Sequence, residues 1–232
     1  LVVADVARGD GADYSVFHII KLETMEVIGE YQGKATLEQF ASILDSTGRE
    51  FGGAMLVVEN NSLGISILEK LQDRLYPNLY FSIKGTHEYI SEAQAESMSN
   101  AVPGFTTSSK TRPLIIAKME EFIRNQLITL YSSRIIGEFK TFIWNNNKAQ
   151  AMRSYNDDLV MALAIACWVK DTALTINIRE MEYKKAMVSS IKSSNNEFST
   201  TIPGMTGHNK GLSREAKKAK QNYRDFVWLI KG

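Results

Sequence analysis

The sequence predicts an α/β fold, and three observations predict it. The first third alternates apolar runs with turn residues, as strands of a sheet do. The stretch from Ala54 to Ser82 reads strand, helix, strand. Finally, 44% of the 232 residues are apolar, enough for the sizeable core of one large domain.

The elements follow in order. Leu1 to Val6 is an apolar strand, a turn containing Gly9 and Gly11 follows, and Ser15 to Leu22 and Glu26 to Gln32 complete a three-stranded meander. Thr36 is placed to cap a helix whose Leu37, Phe40, Ala41 and Leu44 share one face. After Gly52-Gly53, the run Ala54-Met55-Leu56-Val57-Val58-Glu59 reads as a central parallel strand. Ser62 is expected to cap a second helix carrying Ile65, Leu68 and Leu71, ending before Pro77, with a short strand from Asn78 to Ser82. Residues 85–111 are polar and rich in turn formers, longer than a simple connection, and read as a functional loop. Pro113 suits the start of a helix over Leu114 to Ile128, with Ile115, Met119, Phe122 and Ile123 at helical spacing. Glu138 to Trp144 reads as an amphipathic strand or hairpin arm, and Asp158 opens a strongly apolar helix to about Lys170. Beyond Arg179 the chain turns polar and basic, with an amphipathic stretch from Ser213 to Leu229.

Composition narrows the function classes. No run of about 18 apolar residues and no signal-peptide pattern occurs, so neither a membrane span nor secretion is indicated. The single cysteine, Cys167, cannot form an internal disulfide and fits a reducing, intracellular setting. Net charge is +1, but unevenly distributed. Residues 1–183 carry 17 Lys and Arg against 23 Asp and Glu, whereas residues 184–232 carry 10 against 3. Nucleic acid remains a candidate partner, because a polyanion responds to the local field. Leu1-Val2-Val3-Ala4 reads as the middle of a buried strand, so the chain is expected to continue a longer polypeptide.

Three acidic positions carry the chemistry. Asp5 closes an apolar strand, where a carboxylate is costly unless it is paired or metal-bound, although a strand-end Asp also serves turns. Glu59 closes the strand from Ala54 in the same way, and neighbouring parallel strands would bring these two ends together. Asp157-Asp158 begins the apolar helix, where one Asp suffices as a cap and the other is free. Carboxylates without nearby Cys or His point to a hard cation, Mg²⁺ or Mn²⁺, rather than structural zinc. Two such ions about 3.5–4 Å apart suit phosphodiester cleavage. No phosphate loop, Ser-His-Asp pattern or cysteine nucleophile competes; His18, His87 and His208 are scattered and read as structural or surface residues.

The segments Asp5-Val6-Ala7-Arg8-Gly9-Asp10-Gly11-Ala12-Asp13-Tyr14-Ser15, Val57-Val58-Glu59-Asn60-Asn61 and Asp157-Asp158-Leu159-Val160-Met161-Ala162 resemble the nuclease half of large terminase subunits of tailed phages, particularly T4-like ones. The resemblance covers roughly residues 1–175 and leaves 176–232 as a basic, partly flexible extension. It implies a ribonuclease-H-like fold with a mixed sheet flanked by helices, and an upstream packaging ATPase in the same polypeptide. By the resemblance, Asp5 matches a metal-bridging aspartate, Glu59 the central-strand glutamate, and Asp158 or Asp157 the third acidic ligand, with Asp158 favoured. Asp13 matches a further aspartate that is either a ligand or a turn residue. The implied activity is a two-metal endonuclease cutting concatemeric double-stranded DNA at initiation and termination of headful packaging. It would work with the portal and the small terminase subunit, in the host cytoplasm and transiently at the prohead portal vertex.

The loop Thr106-Thr107-Ser108-Ser109-Lys110-Thr111-Arg112 puts hydroxyls and two cations before a helix, a position that favours phosphate and equally describes a solvated loop. Thr107, Lys110 and Arg112, with Lys84 and Arg8, are the candidate DNA contacts. The rival readings are another ribonuclease-H-like nuclease, of junction-resolvase or integrase type, and a non-catalytic DNA-binding or portal-docking module.

Overall fold

Four strands form the main sheet of the computed structural model, which describes residues 1–7, 14–85, 89–145 and 148–194. They are β1 (Val2–Asp5), β2 (Ser15–Lys21), β3 (Glu26–Gly33) and β4 (Leu56–Val58), in spatial order β3-β2-β1-β4. β1 is antiparallel to β2 and parallel to β4, so the sheet is mixed and the expected meander is present. Side chains alternate across a strand, and the cores divide accordingly. Val3, Val16 and Val57 pack on one face; Val2, Ala4, Phe17, Leu56 and Val58 pack on the other.

Helices α1 (Leu37–Glu50) and α2 (Ser62–Asp73) cover the second face through Phe40, Ala41 and Leu44, and Ile67, Leu68 and Leu71. Thr36 caps α1 as expected, in a capping box with Gln39. The cap of α2 is Asn61 rather than Ser62, because Asn61 Oδ1 accepts the Leu63 and Gly64 N–H groups at 3.1 and 2.8 Å. Ile67 is buried alongside Leu68 and Leu71, whereas Ile65, on the neighbouring face, stays 46% exposed.

The expected strand from Asn78 to Ser82 divides between two pairings. Asn78 to Tyr80 pair with β4 in parallel at the Leu56–Leu79 bridge, the Leu56 N–H donating to the Asn78 carbonyl at 2.9 Å and the Tyr80 N–H to the Leu56 carbonyl at 3.0 Å, whereas β5 (Phe81–Ile83) joins β6 (Tyr89–Ile90) and β7 (Ala101–Pro103) in a separate antiparallel sheet. The expected long loop therefore contains β6, the short α3 (Glu92–Ala95) and β7, and returns to β4 through the Glu59–Phe105 bridge.

Helices α4 (Thr111–Arg124), α5 (Ser133–Thr141) and α6 (Asp158–Ser194) follow, with the hairpin β8 (Phe142–Asn145) and β9 (Lys148–Ala151) between the last two. Ile115, Met119 and Phe122 of α4 are buried, whereas Ile123 is 40% exposed and the helix stops at Arg124. Glu138 to Thr141 belong to α5 instead of a strand, and the hairpin starts only at Phe142. α6 starts at Asp158 and is buried on every side from Leu159 to Cys167, as a core helix must be. Together with α4 it covers the face of the sheet bearing Val3 and Val57.

The chain divides into two compact units, 1–183 and 184–232. Of the second, residues 184–194 are described, and they are helical. The stretch from Ser213 to Leu229 lies outside the described residues, as do His87 and His208. Among the described residues no helix is long and apolar enough to cross a membrane.

Candidate functional site

Strand parity brings the carboxylates together. β1 and β4 are parallel and aligned Ala4 to Val58, and the Glu59 N–H donates to the Ala4 carbonyl at 2.9 Å. Asp5 and Glu59 thus leave the sheet at the same end, in phase with Val3 and Val57, on the face that α6 covers. A side-chain hydrogen bond joins the two, and Asp158, the first residue of α6, lies near enough to act electrostatically on Asp5. Burial, the Glu59 carboxylate and the Asp158 carboxylate together push the Asp5 carboxyl well above its usual range; the Val6 N–H, at 2.8 Å from Asp5 Oδ1, opposes them.

Local hydrogen bonds fix each member. Asn61 Nδ2 donates to Glu59 Oε2 at 3.1 Å and to the Val6 carbonyl at 3.4 Å, bridging the exits of β4 and β1. The Tyr14 N–H donates to Asp158 Oδ2 at 2.9 Å. Gly64 is a steric requirement here, since a Cβ on it would lie 1.7 Å from the Glu59 carbonyl oxygen.

The two members of the aspartate pair have different environments. Asp157 Oδ2 accepts from Arg112 Nη2 at 2.5 Å, and Arg112 Nε also donates to the Ala149 carbonyl of the hairpin at 3.2 Å. Arg112, expected to meet DNA, is thus engaged inside the protein. Glu138, which sequence reasoning did not single out, sits beside the pair. Its carboxylate accepts the Val160 N–H at 3.1 Å. Burial first, then the charges of Asp158 and Asp157, push it up to about 7 against the opposing backbone hydrogen bonds. A cleft of about 570 Å³ opens along this side, lined by Tyr14, Gln32, Arg134, Glu138, Tyr155 and Asn156 among others.

The other candidate contacts are dispersed. Lys84 and Lys110 are exposed. The Thr107 hydroxyl is buried without a hydrogen-bond partner, and the hydroxyls of Ser108 and Thr111 cap each other's amides at 3.1 and 2.7 Å. Arg8 and Asp13 lie outside the described residues. His18 is fully buried, its Nε2–H donating to the Leu159 carbonyl at 3.0 Å; burial lowers its pKa and keeps it structural.

Among the described residues no three His, Cys, Asp or Glu side chains already enclose a common metal position. The donor set nevertheless fits a hard divalent cation. Asp5, Glu59 and Asp158 are all oxygen donors, and their mutual repulsion needs either a shared proton, as between Asp5 and Glu59, or a cation.

No protein-family model matches the sequence. Solved structures do. The large terminase nuclease from thermophilic phage G20c is matched with bound magnesium (TM-score 0.55) and with bound cobalt (TM-score 0.54), each at 20% identity over 72% of this chain and 78% of that one. The large terminase nuclease domain of Thermus phage P74-26 is matched at 19% identity over 71% of this chain and 76% of that one, with a TM-score of 0.51. The mixed sheet, its flanking helices and these matches give this chain the ribonuclease-H-like fold found in the nuclease domains of large terminases.

Proposed function

We propose that this chain is the metal-dependent endonuclease domain of a tailed-phage large terminase subunit, cutting concatemeric double-stranded DNA when headful packaging begins and ends. The observation that carries the reading is the convergence of Asp5, Glu59 and Asp158 at one end of the sheet. The magnesium and cobalt bound by the G20c nuclease support a divalent requirement. Asp5, Glu59 and Asp158 would hold Mg²⁺ or Mn²⁺, with Asp13 as a further donor, while Asp157 is held by Arg112. Bound divalent ions supply Lewis acidity at the scissile phosphate and lower the pKa of a water. The protein's own groups hold that assembly rigid, through Asn61 on Glu59 and the Tyr14 amide on Asp158.

Lys84, Lys110 and Arg8 would contact the DNA backbone, and the basic segment 176–232 would track the duplex or dock on the portal. None of these groups forms a base-reading pattern, which agrees with cutting of low sequence preference. In this reading an ATPase domain precedes the chain in its polypeptide, the small subunit and the portal are its partners, and it acts in the host cytoplasm and at the prohead vertex.

Plasmid nicking in Mg²⁺ or Mn²⁺ tests the proposal. Asp5→Asn and Glu59→Gln should each lower the rate by about 100-fold, equivalent to ~2.7 kcal/mol of barrier. Equal rates for wild type and both variants, or no nicking by wild type, would overturn it. A strict requirement for a DNA junction would assign the same centre to a resolvase.

A further inference from the structure

The first turn of α6 has amides that need acceptors, as every helix start does. Asp157 holds the cap position, because its carbonyl accepts the Met161 N–H at 2.9 Å. An Asp there ordinarily turns its own carboxylate onto the second or third amide of the helix. Here it does not, since Asp157 Oδ2 is held by Arg112. The acceptor comes from another helix. Glu138 of α5 takes the Val160 N–H on Oε2 at 3.1 Å, and the Leu159 amide lies near enough to act on the same carboxylate. Gln32 Nε2 steadies Oε1 at 3.3 Å, and His18 holds the Leu159 carbonyl from the opposite side.

We infer that Glu138 is a positioning residue for the proposed metal centre: by capping α6 from outside, it relieves the Asp157-Asp158 pair of capping and leaves Asp158 beside Asp5. Without Glu138 the Val160 amide would be left without its acceptor in a buried setting. The nearest replacements are the two aspartates. Either one turning back onto the helix end withdraws a carboxylate from its present partner: Arg112 loses Asp157, or the centre loses Asp158. The inference rests on the nuclease reading above and concerns how its third ligand is held.

The test compares the full chain with Glu138→Ala, Glu138→Gln and Glu138→Asp, measuring Mg²⁺ affinity by calorimetry, plasmid nicking against Mg²⁺ concentration, and thermal stability. Glu138→Ala should weaken Mg²⁺ binding by about 10- to 100-fold, the scale of losses around metal ligands. Glu138→Gln keeps an acceptor oxygen at the same reach and should stay within about threefold of wild type in Mg²⁺ affinity. Should Glu138→Ala fail to fold, Glu138→Asp decides: its shortened reach should weaken Mg²⁺ binding where Glu138→Gln does not. Wild-type Mg²⁺ affinity in folded Glu138→Ala, or equal affinity in the Asp and Gln variants when Ala does not fold, overturns the positioning role and leaves the nuclease reading standing. A wild type that neither binds Mg²⁺ nor nicks DNA removes both.

Discussion

At the scale of single residues, Asp157 and Asp158 differ by what faces them. Asp157 is half-buried against Arg112, so the pair is a partly desolvated ion pair worth about 1 kcal/mol. Asp158 instead accepts the Tyr14 N–H and lies near enough to Asp5 to act on it electrostatically. Asp158→Asn should therefore lose about 100-fold in nicking rate, whereas Asp157→Asn should stay within about tenfold, with a small loss of melting temperature. The sequence placed both at a helix start, and only the family resemblance favoured Asp158. The groups that separate them, Arg112, Tyr14 and Glu138, come from remote parts of the chain, and no local pattern announces them. Cys167 lies within an unbroken apolar run and is buried. Burial pushes its thiol up to about 12 from 9.0. The folded protein thus keeps the proton above pH 9 while the unfolded chain releases it, so this group makes stability fall as pH rises from about 9 towards 12, by up to ~1.4 kcal/mol per pH unit. Thiol labelling at pH 8 should be slow in the native protein and follow unfolding.

At the scale of elements, legibility depended on how long a pattern runs. α1 carries its cap and its apolar face within one segment, and both were readable. α5 is nine residues long and passes directly into β8, so the alternation of Phe139, Thr141 and Ile143 masked a helical turn as a strand. The α2 boundary turned on Asn61, whose carboxamide oxygen out-competed the Ser62 hydroxyl for the cap. The same turn makes a prediction. Gly64→Ala must displace either α2 or the Glu59 backbone, at a cost of about 1–3 kcal/mol. Mg²⁺ affinity should fall together with melting temperature, whereas Leu44→Ala, buried at the α1–α2 contact, should lower stability by about 2–5 kcal/mol with Mg²⁺ affinity retained.

At the scale of the whole molecule, the mixed sheet was legible because a meander and a parallel crossover both write themselves into local sequence. The second small sheet was not, because β5 and β7 find each other across an intervening helix and show only short, irregular runs. Charge operates at this scale too. Residues 1–183 hold an acidic excess and residues 184–232 a basic one, so in the proposed function DNA affinity should depend on the latter. Replacing Lys217, Lys218 and Lys220 with Gln should weaken plasmid binding and flatten its salt dependence by about one unit of slope for each phosphate no longer neutralised. Mg²⁺ affinity should be unchanged, and binding measured from low to high salt would show both effects.

The parallel pairing of β1 with β4 has a temporal consequence. Asp5 and Glu59 meet only after the strands carrying them have closed across the whole of β2, β3 and α1, and Asp158 joins only once α6 has been made. A chain still emerging from the ribosome, or one truncated ahead of α6, carries two of the three carboxylates and no means of holding them as a set. The proposed cutting activity would thus be withheld from nascent and broken copies, sparing nearby DNA until α6 has been made.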